Sequence, residues 1–491
     1  MTFTNRVIIL LLWASFFSCQ KEQKEVAKKP NILLIVVDDL GYADFKPFQQ
    51  QGQKAVTPNM ARLADAGTVY TQAYVTAPVC SPSRAGLITG KNQFRWDKPA
   101  SWGPGLPDSV KTIAEYLKTA GYTTARIGKN DLGQKFHRND VREFPLHHGY
   151  DEFLGFSAHA HDYWLNSTAI EKRTPDPKGT SALLGPLMHN MGKKSYEEGY
   201  LTEIFTDEAV DYIKRKKDTS FFLTLSYNAV HHLIHEVPKK YLDKYDVPEI
   251  PNYDPDSLLT YKNHDAGSYA AYYDKYSRIG AIQSPEMRNY YLANLNCLDD
   301  NLGRVLDALK EERIDDETII FFISDNGGSP LTGSDNSPLT AGKYSLWEGG
   351  IRVPMIMVWP GTTVPGTIEN AYVSAMDILP TIAKASNFTI EDTEIDGIDL
   401  RQPNPDRLLV WKWQKTWAAR KGNWKLTNAK ENHWKSEPSE YYIKPIIDDL
   451  SLKLFDLSKD PGERNNLANE YPEKVKALED LYIQWCAEHI E

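Results

Sequence analysis

NILLIVVDD, residues 31–39, carries an apolar run from Ile32 to Val37 that ends on two aspartates. No polar residue alternates through the run, so a strand made from it must be covered on both faces, as inner strands of parallel sheets are. TIIFFISDN (318–326) repeats the plan and ends on Asp325 and Asn326, while FFLTLSYNAV (221–230) runs into His231 and His232. Between these runs, NMARLADAG (59–67), VKTIAEYLKTAG (110–121) and YLANLNCLDDNLGRVLDALKEE (291–312) place apolar residues at helical spacing, the first two closing on glycine. Strands alternating with helices predict an α/β fold: a large, mostly parallel sheet sandwiched by helices. Ligand-binding residues are then expected just past the carboxyl ends of the strands.

The pattern changes near residue 401. RLLVWKW (407–413), WAARKGNWKLT (417–427) and LKLFDL (452–457) are short and aromatic-rich, and YPEKVKALEDLYIQWCAEHI (471–490) has an amphipathic helical period. This predicts a main unit over 30–400 and a smaller C-terminal antiparallel sheet plus helix over 401–491. The chain has 491 residues, 41% hydrophobic and 25% charged, enough to bury a sizeable core in more than one unit. A formal net charge of -10 excludes a phosphate-tracking nucleic-acid surface, which needs excess Lys and Arg.

At the N-terminus, Arg6 precedes an apolar run from Val7 to Phe17, then Ser18 and Cys19. The run is short for a bilayer span and is read as a signal peptide over 1–18, with Cys19 placed as in a bacterial lipoprotein and 19–29 as a charged tether. Simple secretion without a lipid is the alternative. Either way the protein is expected outside the cytoplasm, in the periplasm or at the cell surface, touching membrane only through that anchor.

Asp38, Asp39, Asp325 and Asn326 supply the carboxylate and amide oxygens that a hard cation prefers, provided the two strand ends are neighbours. Without a cation or other partners, three buried carboxylates would repel one another; alternatively, some of these residues are caps or turn formers. The four cysteines, Cys19, Cys80, Cys297 and Cys486, fall at no metal or redox spacing. Cys297 reads as a buried small apolar residue, and a bridge to Cys486 is left open.

VTAPVCSPSRAGLITG (75–90), through Cys80, Pro82, Ser83, Arg84, Leu87, Thr89 and Gly90, resembles the signature of the type I, formylglycine-dependent sulfatases of the alkaline-phosphatase-like superfamily. The resemblance runs on through PNILLIVVDDLGYAD, TPNMARLADAGTVYTQAYV, SDNGG, AGKYSLWEGGIRVPMI, MDILPTI and KLFDLSKDPGERNNLA, in the family's order. It implies an enzyme that removes sulfate from a sulfated carbohydrate, the resemblance of HGYDEFLGFSAHAHDYW to blocks of carbohydrate sulfatases giving the substrate class. It further implies that a maturation enzyme converts Cys80 to formylglycine. The hydrate of that aldehyde would attack sulfur while seated on one Ca2+, or Mg2+, held by Asp38, Asp39, Asp325 and Asn326 together with residue 80. Arg84, Lys129 and Lys343 match the cationic groups that face the sulfuryl oxygens, and His231 matches the histidine that protonates the leaving oxygen.

One block departs from the pattern. GKNDLG (128–133) keeps Lys129 but has Asp131 where the family commonly has histidine. Asp131 is either a base in sulfate release or a structural acid paired with Lys129. His159 and His161, in SAHAHDYW (157–164), are read as sugar contacts or as packing. A zinc site at His231, His232 and His235 is disfavoured because no HExxH is present. The rival readings are a phosphate or phosphonate ester hydrolase of the same superfamily and a non-catalytic lipoprotein that binds sulfated glycans.

Overall fold

A computed structural model describes residues 29–490 apart from 50–54, 97–104, 133–140, 143, 167–186, 194–197, 262, 277–285, 393–394 and 431–449. The expected signal peptide, Cys19 and nearly all of the expected tether lie outside the described residues. Ten strands form the main sheet: β1 (Asn31–Val37), β2 (Thr68–Tyr74), β3 (Thr123–Lys129), β4 (Glu152–Phe156), β5 (Met188–His189), β6 (Gly192–Lys193), β7 (Phe221–Ser226), β8 (Thr318–Ser324), β9 (Arg352–Val358) and β10 (Thr367–Ser374). Their order is β10-β2-β9-β8-β1-β7-β3-β4-β5-β6.

The consecutive strands β8, β1, β7, β3 and β4 are parallel. The sheet as a whole is mixed, because β9 runs antiparallel to both β8 and β2, and the short β5 and β6 close the far edge antiparallel. The reason at β9 is connectivity: the chain leaves β8 and returns along its flank from the same end, and a parallel neighbour would require a crossover to the opposite end. The two-sided burial expected of the inner strands is met. Leu33, Ile35 and Val37 pack on one face with Leu223, Leu225 and Phe322, and Ile32, Leu34 and Val36 on the other with Phe222, Phe321 and Ile323.

Register places the chemistry. Val37 of β1 is level with Ser324 of β8, Val36 with Ser226 of β7, and Ser226 with Gly128 of β3. The residues that follow, Asp38 and Asp39, Asp325 and Asn326, Lys129, and the loop to His231, therefore emerge at one end of the sheet. The helix Cys80–Thr89 lies beside them and every one of its residues is buried. It seats closely because Gly86 has no side chain: a Cβ there would lie 2.3 Å from Thr76 Oγ1. Gly90 ends the helix in the left-handed region, at φ 67°.

A four-stranded antiparallel sheet (Leu408–Trp413, Thr416–Lys421, Trp424–Thr427, Lys453–Asp456) and the helix Pro472–His489 complete the chain. Leu409, Trp411 and Phe455 share a core with Tyr74 and Val353 of the main sheet, and Trp411 Nε1 donates to Val75 O at 2.7 Å. Lys425, fully buried, reaches Glu348 at 3.0 Å and Glu463 at 2.8 Å. Burial pushes Glu463 up to about 7 against the pull of Lys425. Cys297 is buried and, like Cys486, is a free thiol, so the bridge that the sequence left open is not formed. Among the described residues no helix is long and apolar enough to cross a membrane.

Removing Lys425 takes away the cation that Glu348 and Glu463 share, leaving Glu348 with Arg352 at 3.6 Å. Lys425→Met is expected to lower the free energy of unfolding by about 3 to 5 kcal/mol, measured by urea denaturation. Lys476→Ala, which breaks only an exposed pair with Asp480, is expected to leave the midpoint in place.

Candidate active site

The hydrogen-bond ladder between β1 and β8 continues one step past the strands, with Asp325 N donating to Val37 O at 3.0 Å. This brings the two acidic tips together. Asp38, Asp39 and Asp325 each present a carboxylate oxygen within 4.8 Å of the others, and Asp38, the Cys80 sulfur and His231 form a second such group. Asp39 takes a left-handed backbone, at φ 61°, which Asp tolerates better than most residues. That conformation lets its amide approach Asp325 Oδ1 at 3.3 Å.

Each carboxylate has its own cation. Lys129 Nζ lies 2.7 Å from Asp38, Lys343 Nζ 2.8 Å from Asp39, and Arg84 Nη2 2.7 Å from Asp325. All six side chains are essentially inaccessible to water. Such pairing is what burial demands, since an unpaired ion in this setting is costly. The pairing is uneven in its effect on titration. Burial, with the neighbouring Asp325, pushes Asp38 well above the usual carboxylate range in spite of Lys129, and burial likewise raises Asp39. Burial acts on Asp325 in the same direction, but Arg84, then Lys129 and Lys343, outweigh it and hold that carboxyl below its ordinary value.

Arg84 is itself oriented from three sides. Beyond Asp325, Nη1 donates to Ser226 Oγ at 2.5 Å and to Lys129 O at 3.3 Å. The role of Ser226 has a sequence signal only in hindsight: it is the last residue of an apolar strand that pairs with β1. Cys80 opens its helix, fully buried, and burial raises its thiol far more than Lys129 and Lys343 lower it. The thiol stays protonated at neutral pH and is a poor nucleophile.

Asp131 is buried in a left-handed turn, at φ 53°, with Oδ2 3.3 Å from Lys129 Nζ. It is also among the charges that act on Cys80, so it faces both the lysine and residue 80. His231 Nε2 lies 3.8 Å from Asp39 Oδ2, and its ring packs against His232 with centroids 3.9 Å apart. Burial first, then His232 and the two lysines, keep this imidazole neutral.

His159 is half-buried and close enough to His231 to add to that effect. His161 belongs to the interior: Nδ1 is 3.0 Å from Asp162 O and the ring lies 5.1 Å from Phe156.

The acidic tips fit a hard divalent cation. Asp38 Oδ1 and Asn326 Oδ1 are buried without any hydrogen-bond partner, and the surrounding donors are carboxylate oxygens, the ligand type that calcium and magnesium take.

Residues 30–388 match the family model described as Sulfatase. The chain belongs to the sulfatase family. Residues 342–484 of this sulfatase also match the model described as N-sulphoglucosamine sulphohydrolase, C-terminal. It is 29% identical to N-acetylgalactosamine-6-sulfatase of Homo sapiens, over 91% of this chain and 83% of the other, and 28% identical to arylsulfatase of Hemicentrotus pulcherrimus, over 94% and 81%. Its fold is similar to that of Ps i-CgsB in complex with k-i-k-neocarrahexaose, with a TM-score of 0.73, 26% identity and 94% of each chain covered. It is also similar in fold to phosphonate monoester hydrolase of Agrobacterium radiobacter, with a TM-score of 0.63, 18% identity and 94% and 96% covered.

A cation binding only the folded state adds stability by mass action, about 2.7 kcal/mol at a hundredfold excess over the dissociation constant. Chelation with EDTA is expected to lower the melting temperature of this sulfatase and added Ca2+ to restore it. Asn326→Ala is expected to shift that recovery to higher Ca2+, as read by differential scanning fluorimetry.

Proposed function

We propose that this sulfatase hydrolyses sulfate esters of a sulfated carbohydrate outside the cytoplasm, with residue 80 acting as formylglycine and one calcium ion bound by Asp38, Asp39, Asp325 and Asn326. The observation that carries the reading is the pairing of Arg84, Lys129, Lys343 and His231 with the acidic tips, together with the cluster of Asp38, Cys80 and His231. The carbohydrate is supported by relatives named for a sugar sulfate and by a structural neighbour holding a carrageenan oligosaccharide. Export rests on the N-terminal run and Cys19, and a maturation enzyme is the partner that the conversion of Cys80 requires.

When present, the hydrated aldehyde and the ion supply an oxygen nucleophile at a pH where a free hydroxyl would be inert. The protein's own residues do the rest. Arg84, Lys129 and Lys343 present fixed positive charge to the sulfuryl oxygens, and they are already oriented by their carboxylates, so little reorganisation accompanies the reaction. His231 is neutral without substrate; a sulfate ester seated among these cations adds negative charge that favours the imidazolium, which then gives its proton to the leaving oxygen. Asp131, in the position commonly held by histidine in this family, accepts a proton at residue 80 as sulfate departs, with Lys129 holding its carboxylate in place.

Three measurements test this. Intact mass of the protein is expected to show residue 80 with its thiol replaced by an aldehyde oxygen, and Cys80→Ala is expected to lose at least about a thousandfold in turnover. Sulfated oligosaccharides, a phosphate monoester and a phosphonate monoester assayed in parallel are expected to rank the sulfates first; a preference for phosphorus overturns the substrate class. Asp131→Asn is expected to release about one equivalent of alcohol ahead of sulfate and to slow steady turnover by about a hundredfold, whereas full turnover removes Asp131 from the base role.

A further inference from the structure

The SAHAHDYW segment does not spend its aromatic and acidic residues on the surface. Tyr163 is fully buried, and its hydroxyl donates to two backbone carbonyls of the loop that carries the candidate acid: Asn228 O at 2.9 Å and His231 O at 3.2 Å. The same loop ends at Glu236, whose Oε2 accepts from Tyr163 N at 2.6 Å and from Trp164 N at 3.3 Å. Glu236 Oε1 accepts from Tyr272 in the helix Tyr269–Asp274, Tyr272 lies 2.9 Å from His235 Nε2, and Tyr269 donates to Asp162. Residues 228–236 are thus held at both ends by one short segment, and that segment is tied to the 269–274 helix through a second tyrosine.

We infer that Tyr163 and Glu236 are positioning residues for His231: together they fix the backbone of the 228–236 loop so that the imidazole stands over the leaving oxygen, and Tyr272 passes that constraint to the 269–274 helix. The inference rests on the reading of His231 as the proton donor. None of the three touches the reacting atoms; each acts through the loop. A protonated carboxyl keeps the two amide bonds on Oε2 and donates from Oε1 to the Tyr272 oxygen, whose own hydrogen can turn to His235 Nε2. Burial and the nearby Asp162 push Glu236 up to about 8, and among the described residues its neighbours are Asp162, Tyr272 and His235, the last held neutral by its own burial. A glutamine can replace such an acid, and an alanine cannot.

A misplaced proton donor has a signature that a destabilised fold lacks. 4-Nitrophenyl sulfate expels a leaving group that needs no proton, whereas phenyl sulfate expels a poorer one that does. A shift of the imidazole by about 1 Å should therefore slow the second far more than the first. In the full-length, matured enzyme, Tyr163→Phe keeps the ring that stacks on Tyr200 and removes only the hydroxyl. It is expected to cut kcat for phenyl sulfate by at least about tenfold with KM unchanged, and kcat for 4-nitrophenyl sulfate by less than about twofold. Glu236→Ala is expected to show the same split and Glu236→Gln to restore it. An equal fall on both substrates, a change confined to KM, or no change in Tyr163→Phe overturns the inference. His231→Ala, run alongside, separates the two levels: if it shows no split between the substrates, the proton-donor reading itself fails. If it shows the split while Tyr163→Phe does not, only the positioning role is lost.

Discussion

Three carboxylates buried at adjoining strand ends are tolerable only because three cations are buried with them. Asp38, Asp39 and Asp325 come from two parallel strands, whereas their partners Lys129, Lys343 and Arg84 arrive from a third strand, a loop and a helix. The electrostatic requirement therefore doubles as a geometric one. Folding the acidic tips into a dry site recruits the groups proposed to face a sulfate, and the cost of separating any pair keeps them oriented. Stability and reactivity draw on the same contacts here. A cation between the tips would offset the repulsion from Asp325 that adds to burial in raising Asp38.

How much of this could be read from residues alone depended on whether the signal was local. The run from Ile32 to Val37 announced a strand covered on both faces, because its side chains leave no polar face to expose. The acidic tips were nameable as a cation site for the same local reason, although their adjacency depended on β1 and β8 pairing in register. Strand direction was not local. The antiparallel course of β9 is set by where the chain returns after the loop that carries Lys343, and nothing within the run Arg352–Val358 states it. Arg84, Lys129, His231 and Lys343, each in a different block, were nameable only through resemblance to a family. No spacing within the chain would have joined residues so far apart.

The histidines of SAHAHDYW show the limit of composition. Imidazole and aromatic side chains suit both a sugar face and a packed interior, and composition does not separate the two. What placed His161 and Tyr163 inside was a long-range fact, the fit of this segment against the 228–236 loop and the 269–274 helix. Glu236 carried no pattern at all, since a single acid in a loop ordinarily meets water. Its importance emerges only from the two amides and the tyrosine hydroxyl that converge on it.

The buried tie between Lys425 and Glu348 also has a temporal side. Glu348 lies a few residues beyond Lys343, in a segment locked by a bond from Gly349 N to Thr340 O at 2.7 Å. Its charge is balanced by a lysine that is translated near the end of the chain. A ribosome adding about 10 residues per second takes about half a minute to travel from residue 80 to residue 425. Throughout that interval Glu348 lacks the buried lysine it meets in the folded protein. The joint between the small sheet and the main one is therefore among the last parts of the fold to be completed.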